Sequence, residues 1–331
     1  MKELQQKDTP TGKWLRQPLA LNVSPRRTDE YIPLENCNLN NLQQVNVAIP
    51  RGVLTVVSGL AGSGKTSLVC GELLRQCPEA IHISQKTMGA SSRSHTATYI
   101  GIMDGIRKAF AKENNQKAAM FSRNGKGACP VCGGTGIVTT EMAFLTPVSS
   151  VCEACGGSGY KEVLRWKYQG KNIADVMTMT VDEAEAFFVQ PTIKRKLQDL
   201  QEVGLGYITL GQTTITMSGG ERQRLKLAAH LKATNNIYVM DEPTTGLHGK
   251  DVALLLKLLD DLIERGNTVV VVEHDLDVIA QADYVIDMGP EGGKNGGKVL
   301  FAGTVKDLLA CRNSYTAEYL RQQVDAIQEV Q

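Results

Sequence analysis

One run of eight residues limits what this chain can fold into more than any other: Gly59–Thr66, GLAGSGKT. It fits the spacing G-x-x-x-x-G-K-[ST] and lies between a strand-like apolar run, Val53–Val57, and an apolar helical stretch, Leu68–Leu74. Glycines let the backbone curl until its amide N–H groups point inward at phosphate oxygens, and the following helix N-terminus adds a favourable dipole. In such a loop the lysine neutralises the terminal phosphates and the hydroxyl after it ligates Mg²⁺. Gly59, Gly62, Ser63, Gly64, Lys65, Thr66 and Ser67 are the candidate phosphate-binding residues.

A loop of this kind needs a strand before it and a helix after it, and the rest of the chain continues that alternation. Ile237–Met240, Thr268–Val272, Tyr284–Asp287 and Lys298–Phe301 are strand-like; Glu221–Lys232, Lys250–Arg265 and Asp277–Ala282 are helical. The pattern predicts an α/β fold with a mainly parallel sheet covered on both faces. The strand Ile237–Met240 carries Asp241 and Glu242 to its polar end, where one carboxylate can hold the metal and the other can orient or deprotonate water. The middle of the chain differs, being glycine-rich and then helical from about Val181 to Val203. The expected organisation is a polar, loosely packed leader over 1–29, a discontinuous nucleotide domain over 30–87 and 235–331, and an insertion over 88–234.

Within the insertion one unit is repeated: CPVCGGTG at Cys129–Gly136 returns as CEACGGSG at Cys152–Gly159. Two matched C-x-x-C pairs separated by a loop have the spacing of a four-thiolate zinc site, here Cys129, Cys132, Cys152 and Cys155, in a module spanning about 121–165. The same unit occurs in DnaJ-type chaperones, and a redox dithiol is the other reading of each pair. From Lys86 to Lys171 there are twelve Lys or Arg against five Asp or Glu, in a chain whose net charge is +1. Four zinc-bound thiolates would lower that local excess of +7 to about +5. A nucleic-acid surface and a solvated charged face would both look this way. No apolar run approaches the roughly 20 residues of a membrane span. No secretory signal opens the chain, so a cytoplasmic location without disulfides is expected.

Ser218–Arg224, SGGERQR, resembles the signature motif of ATP-binding-cassette proteins, and the order of phosphate loop, signature and acidic strand is that family's own. The resemblance implies that Ser218, Gly219, Gly220 and Glu221 contact the γ-phosphate of ATP held by an opposite subunit, through a helix N-terminus. It also implies a metal- and water-sensing role for Gln85, a catalytic role for Glu242, a γ-phosphate switch at His274, and Mg²⁺ held by Thr66 and Asp241. Pro243–His248, PTTGLH, resembles the loop that crosses the dimer interface.

Within that superfamily the chain is similar to the UvrA family, and to its C-terminal half. Leu39–Val45 (LNNLQQV), Ser92–Tyr99 (SRSHTATY), both cysteine pairs, Val203–Ile208 (VGLGYI) and Asp287–Gly293 (DMGPEGG) carry the likeness. It implies a cassette ATPase with an inserted helical signature domain bearing the zinc module, using ATP, Mg²⁺ and Zn²⁺ and binding duplex DNA that is damaged or drug-bound. Arg93, Arg107, Lys108, Lys112, Lys117, Arg123 and Lys126 are the candidate phosphate contacts to DNA. The chain departs from the family's pattern in having one phosphate loop and one signature; a homodimer with two composite ATP sites is expected. The half that holds the docking domain for the helicase UvrB has no counterpart, so that partner is not expected. Ser84, Lys86 and Met217 replace the usual neighbours of the sensor glutamine and the signature serine. The motor subunit of a transporter, and a resistance or scaffold ATPase indifferent to DNA, are the alternatives.

Overall fold

The computed structural model describes residues 21–84, 94–140, 148–231, 234–247 and 249–328. The chain divides into two compact units, Met1–Lys86 with His230–Gln331, and Thr87–Ala229. In chain order the strands are β1 (Tyr31–Cys37), β2 (Val45–Pro50), β3 (Leu54–Gly59), β4 (Ile81–Ile83), β5 (Ile137–Thr140), β6 (Val148–Val151), β7 (Lys167–Tyr168), β8 (Lys171–Asn172), β9 (Ile237–Asp241), β10 (Thr268–Val272), β11 (Tyr284–Gly289) and β12 (Lys298–Gly303).

The first unit is built on a six-stranded sheet of order β12-β11-β3-β10-β9-β4. All neighbours are parallel except β11 and β12. The central strands are mostly apolar because both faces are covered; every residue of β10 is buried. One face packs on the β1–β2 hairpin and on the helix after the phosphate loop, through Leu34, Ile49, Val57, Leu68, Leu73, Val239 and Val272. That helix is a π-helical stretch, Ser67–Leu73, continuing as Leu74–Gln76. Val272 of β10 is level with Val57 of β3 and with Asp241 of β9, so the carboxyl ends of these strands finish at one edge. In an open parallel sheet, ligands bind in the crevice beyond those ends.

The leader expected to be loosely packed is pinned in its described part. Asn22 and Arg26 both bond to the buried carboxylate of Asp283, and Arg26 also pairs with Asp260.

In the second unit, Phe121, Phe110, Tyr168 and Phe188 form an aromatic core with ring centroids 5.4 to 5.8 Å apart in successive pairs. The helical stretch expected over about Val181–Val203 is made of two helices, Val181–Phe187 and Pro191–Glu202. Proline disfavours helical geometry in the residue before it and is well placed at a helix start, so Gln190 is extended and Pro191 opens the second helix. Thr180 and Glu183 close a capping box on the first. No helix among the described residues is long and apolar enough to cross a membrane.

Candidate nucleotide site and cysteine module

The phosphate loop leaves β3 at Gly59 and turns through left-handed glycines, with φ of +130° at Gly59, +76° at Gly62 and +102° at Gly64. A side chain at Gly59 would collide with the Met288 carbonyl oxygen, so only glycine fits. Two segments brace the loop from outside. The Asn41 amide donates to the carbonyls of Gly62 (2.8 Å) and Gly293 (3.1 Å), and the N–H groups of Gly293 and Gly297 donate to Gly62 and Ser63. Gln43 ties the same outer loop down through the Lys294 and Gly296 carbonyls. The stretches Leu39–Val45 and Asp287–Gly293 therefore act as buttresses of the phosphate loop, a role their composition did not reveal.

Lys65 Nζ donates to the carbonyls of Gly59 (2.8 Å) and Leu60 (2.9 Å). Burial lowers its pKa, against the raising effect of Glu242, Asp241 and Asp287. The Ser63 hydroxyl is buried with no hydrogen-bond partner among the described residues, an unsatisfied group that a phosphate oxygen in the loop would satisfy. Thr66 is exposed at the start of the helix. Asp241 ends β9 half-buried; burial, then the neighbouring Glu242, raises its carboxyl above the ordinary 3.8.

Glu242 sits just past the strand end with φ +46°, a conformation uncommon outside glycine, and its N–H donates to the Val272 carbonyl at 2.9 Å. His274 is two-thirds exposed, with Nδ1 3.9 Å from a Glu242 oxygen and 3.9 Å from a Glu273 oxygen. Glu273 escaped the sequence reading. Its fully buried carboxylate accepts bonds from Thr244 N–H (2.8 Å), Thr244 Oγ1 (2.5 Å), His274 N–H (2.9 Å) and Asp275 N–H (3.2 Å). It thereby joins the loop after Glu242 to the loop carrying His274. The signal available was a carboxylate closing the apolar run TVVVV, where burial forces it to find donors. A cavity of about 470 Å³ opens at this edge, with Lys65, Glu242 and His274 in its wall beside Tyr315 and Tyr319. Gln85 and His248 lie outside the described residues.

The signature segment belongs to the second unit. Ser218 and Glu221 form a reciprocal cap on the helix Gly219–His230. Ser218 N–H donates to Glu221 Oε2 at 2.7 Å, and Glu221 N–H donates to Ser218 Oγ at 3.2 Å. The Tyr207 hydroxyl donates to the other Glu221 oxygen at 2.7 Å. Burial pushes Glu221 up, but these donors outweigh it and hold the carboxyl below its usual range. At this helix tip Gly219 is half-buried and Gly220 buried.

The four sulfurs of Cys129, Cys132, Cys152 and Cys155 lie within 4.8 Å of one another. Cys129 and Cys152 are 4.0 Å apart and Cys132 and Cys155 3.7 Å. A tetrahedral Zn²⁺ with sulfurs at about 2.3 Å needs them about 3.8 Å apart, so the donor set fits. The repeat has internal symmetry. Gly136 N–H donates to Cys132 Sγ and Gly159 N–H to Cys155 Sγ. The Cys152 N–H donates to Gly136 O and the Cys129 N–H to Gly159 O, both at 2.9 Å. Burial pushes the Cys132 thiol up, yet the N–H groups of Gly136 and Gly134 pull it below its ordinary value, while burial and the Cys155 thiol push Cys152 up to about 11. Of the candidate DNA contacts, Lys108, Lys112, Lys117 and Lys126 are exposed and Arg107 and Arg123 half-buried, while Arg93 is outside the described residues.

The family model described as ABC transporter matches residues 42–245, which takes in the phosphate loop, the signature cap and the Asp241–Glu242 edge. The chain belongs to the ATP-binding-cassette ATPase family. This cassette is 44% identical over 358 aligned residues to the UvrABC system protein A of Staphylococcus aureus strain COL, covering 97% of the cassette chain and 38% of that relative. It is 45% identical to the protein of the same name from Staphylococcus epidermidis, with the same coverage. Among solved structures it is similar to UvrA2 from Deinococcus radiodurans, with a TM-score of 0.86 at 40% identity over 93% of the cassette chain and 41% of that one. The cassette thus spans about two fifths of the length of these UvrA-type relatives.

Proposed function

We propose that the cassette binds and hydrolyses ATP between two copies of the chain and uses that cycle to hold duplex DNA, with a preference for distorted or drug-bound duplex. The observation that carries the reading is the shared edge of β3, β9 and β10, where the phosphate loop, Asp241–Glu242 and Glu273–His274 finish together. The loop amides and Lys65 would hold the β- and γ-phosphates, with the orphaned Ser63 hydroxyl donating to one oxygen. Thr66 and Asp241 would hold Mg²⁺, which when bound offsets the charge of those phosphates. Glu242 would take a proton from the attacking water, and His274, beside it, would contact the γ-phosphate.

The chain carries one phosphate loop and one signature helix, on different units. A second copy presenting Ser218, Gly219 and Gly220 to this loop would complete each site and make ATP the clamp of the dimer. The four cysteines would hold Zn²⁺, which braces the β5–β6 hairpin, and the exposed lysines beside the module would contact DNA phosphates. The UvrA likeness favours this over a transporter subunit.

The test compares wild type with Glu242→Gln, measuring turnover with and without plain and adducted duplex, and mass in solution with ATP. Turnover in the variant should fall by about 10²–10⁴-fold, with ATP still bound and a longer-lived dimer. A strictly monomeric ATP-bound protein whose turnover ignores duplex would overturn the reading.

A further inference from the structure

Tyr207 is 57% exposed, a large ring left outside the core, yet its hydroxyl is committed to Glu221 Oε1 on the signature helix. The loop that carries it is held on both sides. The N–H groups of Val181 and Asp182, in the first turn of the helix Val181–Phe187, donate to the carbonyls of Ile208 (2.9 Å) and Gly206 (3.1 Å). The Asp182 carboxylate stands where a side chain at Gly206 would lie, and Gln201 fixes it there at 2.7 Å. From the other side Arg224 of the signature helix reaches the carbonyls of Val203 (3.5 Å) and Gly204 (3.4 Å). Backbone braces, rather than burial, therefore set where the Tyr207 ring stands. Burial of the hydroxyl end, then the bond to Glu221, raises this phenol above its ordinary 10, so it remains a proton donor near neutral pH.

Glu221 divides its two oxygens between two donors, Oε1 to Tyr207 and Oε2 to the Ser218 N–H. The exposed Ser218 hydroxyl accepts from the Glu221 N–H and donates to nothing among the described residues. A hydroxyl has a single hydrogen to give. Here the lone-pair side is turned to the helix, and that hydrogen is unspent. The cap that orients it closes only while the Glu221 carboxylate stays folded back, and without Tyr207 one oxygen alone would hold it. A loose carboxylate would also set its charge against any phosphate brought to the helix tip, a repulsion that the Tyr207 and Ser218 donors offset. We propose that Tyr207 is a positioning residue of the ATP site: it locks Glu221 into the cap, and the cap presents the Ser218 hydroxyl hydrogen to the γ-phosphate held by a second copy of the chain. This rests on the two-copy reading of that site.

The experiment uses the full-length, zinc-loaded chain. Mass in solution is followed against protein concentration in saturating Mg²⁺ and ATP, beside turnover, for wild type, Tyr207→Phe, Ser218→Ala and the double variant. Tyr207→Phe keeps the ring and loses one hydrogen bond to a charged group, so the dimer dissociation constant should rise about tenfold or more. Turnover at fixed protein concentration should fall with it. ATP binding by the monomer should not change, because the phosphate loop lies on the other unit. The double variant separates positioning from stability. If Tyr207 acts through the Ser218 hydroxyl, its removal from Ser218→Ala costs nothing further, whereas a tyrosine that only stabilises the second unit adds its loss to that of the serine. Additive losses overturn the proposal and leave the two-copy site standing, as does full dimer affinity in Tyr207→Phe where Ser218→Ala has lost it. Full dimer affinity in Ser218→Ala as well overturns both.

Discussion

At the phosphate edge, Asp241, Glu242 and His274 stand at or just beyond the ends of strands buried on both faces, and a buried carboxylate, Glu273, ties two of the loops together. In the cysteine module the four sulfurs hang on loops that turn at Gly133, Gly134, Gly136, Gly156, Gly157 and Gly159, all with positive φ, and the apolar cluster there is little more than the cysteines and Val138. The sheet positions its functional atoms by packing. Around the sulfurs themselves that reserve is small, and their geometry depends on what the thiols bind. Two sites in one chain can therefore be lost independently, one through its core and the other through its ligand.

Removing the zinc proposed for the four cysteines is the hardest blow to that contrast. Structural zinc contributes about 10–16 kcal/mol of apparent binding energy in isolated zinc fingers, so chelation or Cys152→Ser should unfold the module. ATP binding by the first unit should survive. Circular dichroism, metal analysis and nucleotide binding on the same sample check this; parallel loss of ATP binding would break the comparison. Next comes Glu273→Gln, which keeps the shape but cannot accept from all four donors with a full charge. Bonds to charged groups contribute about 1.5–3 kcal/mol, so turnover should fall about tenfold or more, with ATP affinity much less affected. Restoration by Glu273→Asp would show that the carboxylate matters more than the fit.

The pH response is smaller. Asp241 is raised above its ordinary 3.8, so the folded protein takes up this proton more readily than the unfolded chain. The unliganded fold gains stability from the group as pH falls through that raised value, while the carboxylate proposed to hold Mg²⁺ is neutralised over the same window. Magnesium-dependent ATP binding should weaken there, and Asp241→Asn should abolish that limb of the titration. Asn41→Ala is the mildest change. Losing one side-chain brace on the loop costs about 1 kcal/mol, to be read as a few-fold rise in the ATP dissociation constant.

The phosphate loop, the parallel sheet and the cysteine set were legible because each is written locally, as a run of neighbours or a short spacing. Glu273 was harder, since the Thr244 donors that complete its set lie 29 residues away on the neighbouring strand end, which only the sheet register brings alongside. Asn41 and Gln43 were opaque for the same reason: their partners are some 250 residues away at Gly293 and Gly296.

The lacing between the two cysteine repeats bears on how such a module can be moved. Cys129 reaches across to Gly159, and Cys152 reaches back to Gly136. A single copy grafted elsewhere would present a leading amide with nothing to grip. The smallest transplantable piece is the duplicated pair, from the bridge at Ala128 to its mate Tyr160, with the intervening hairpin free to be rewritten.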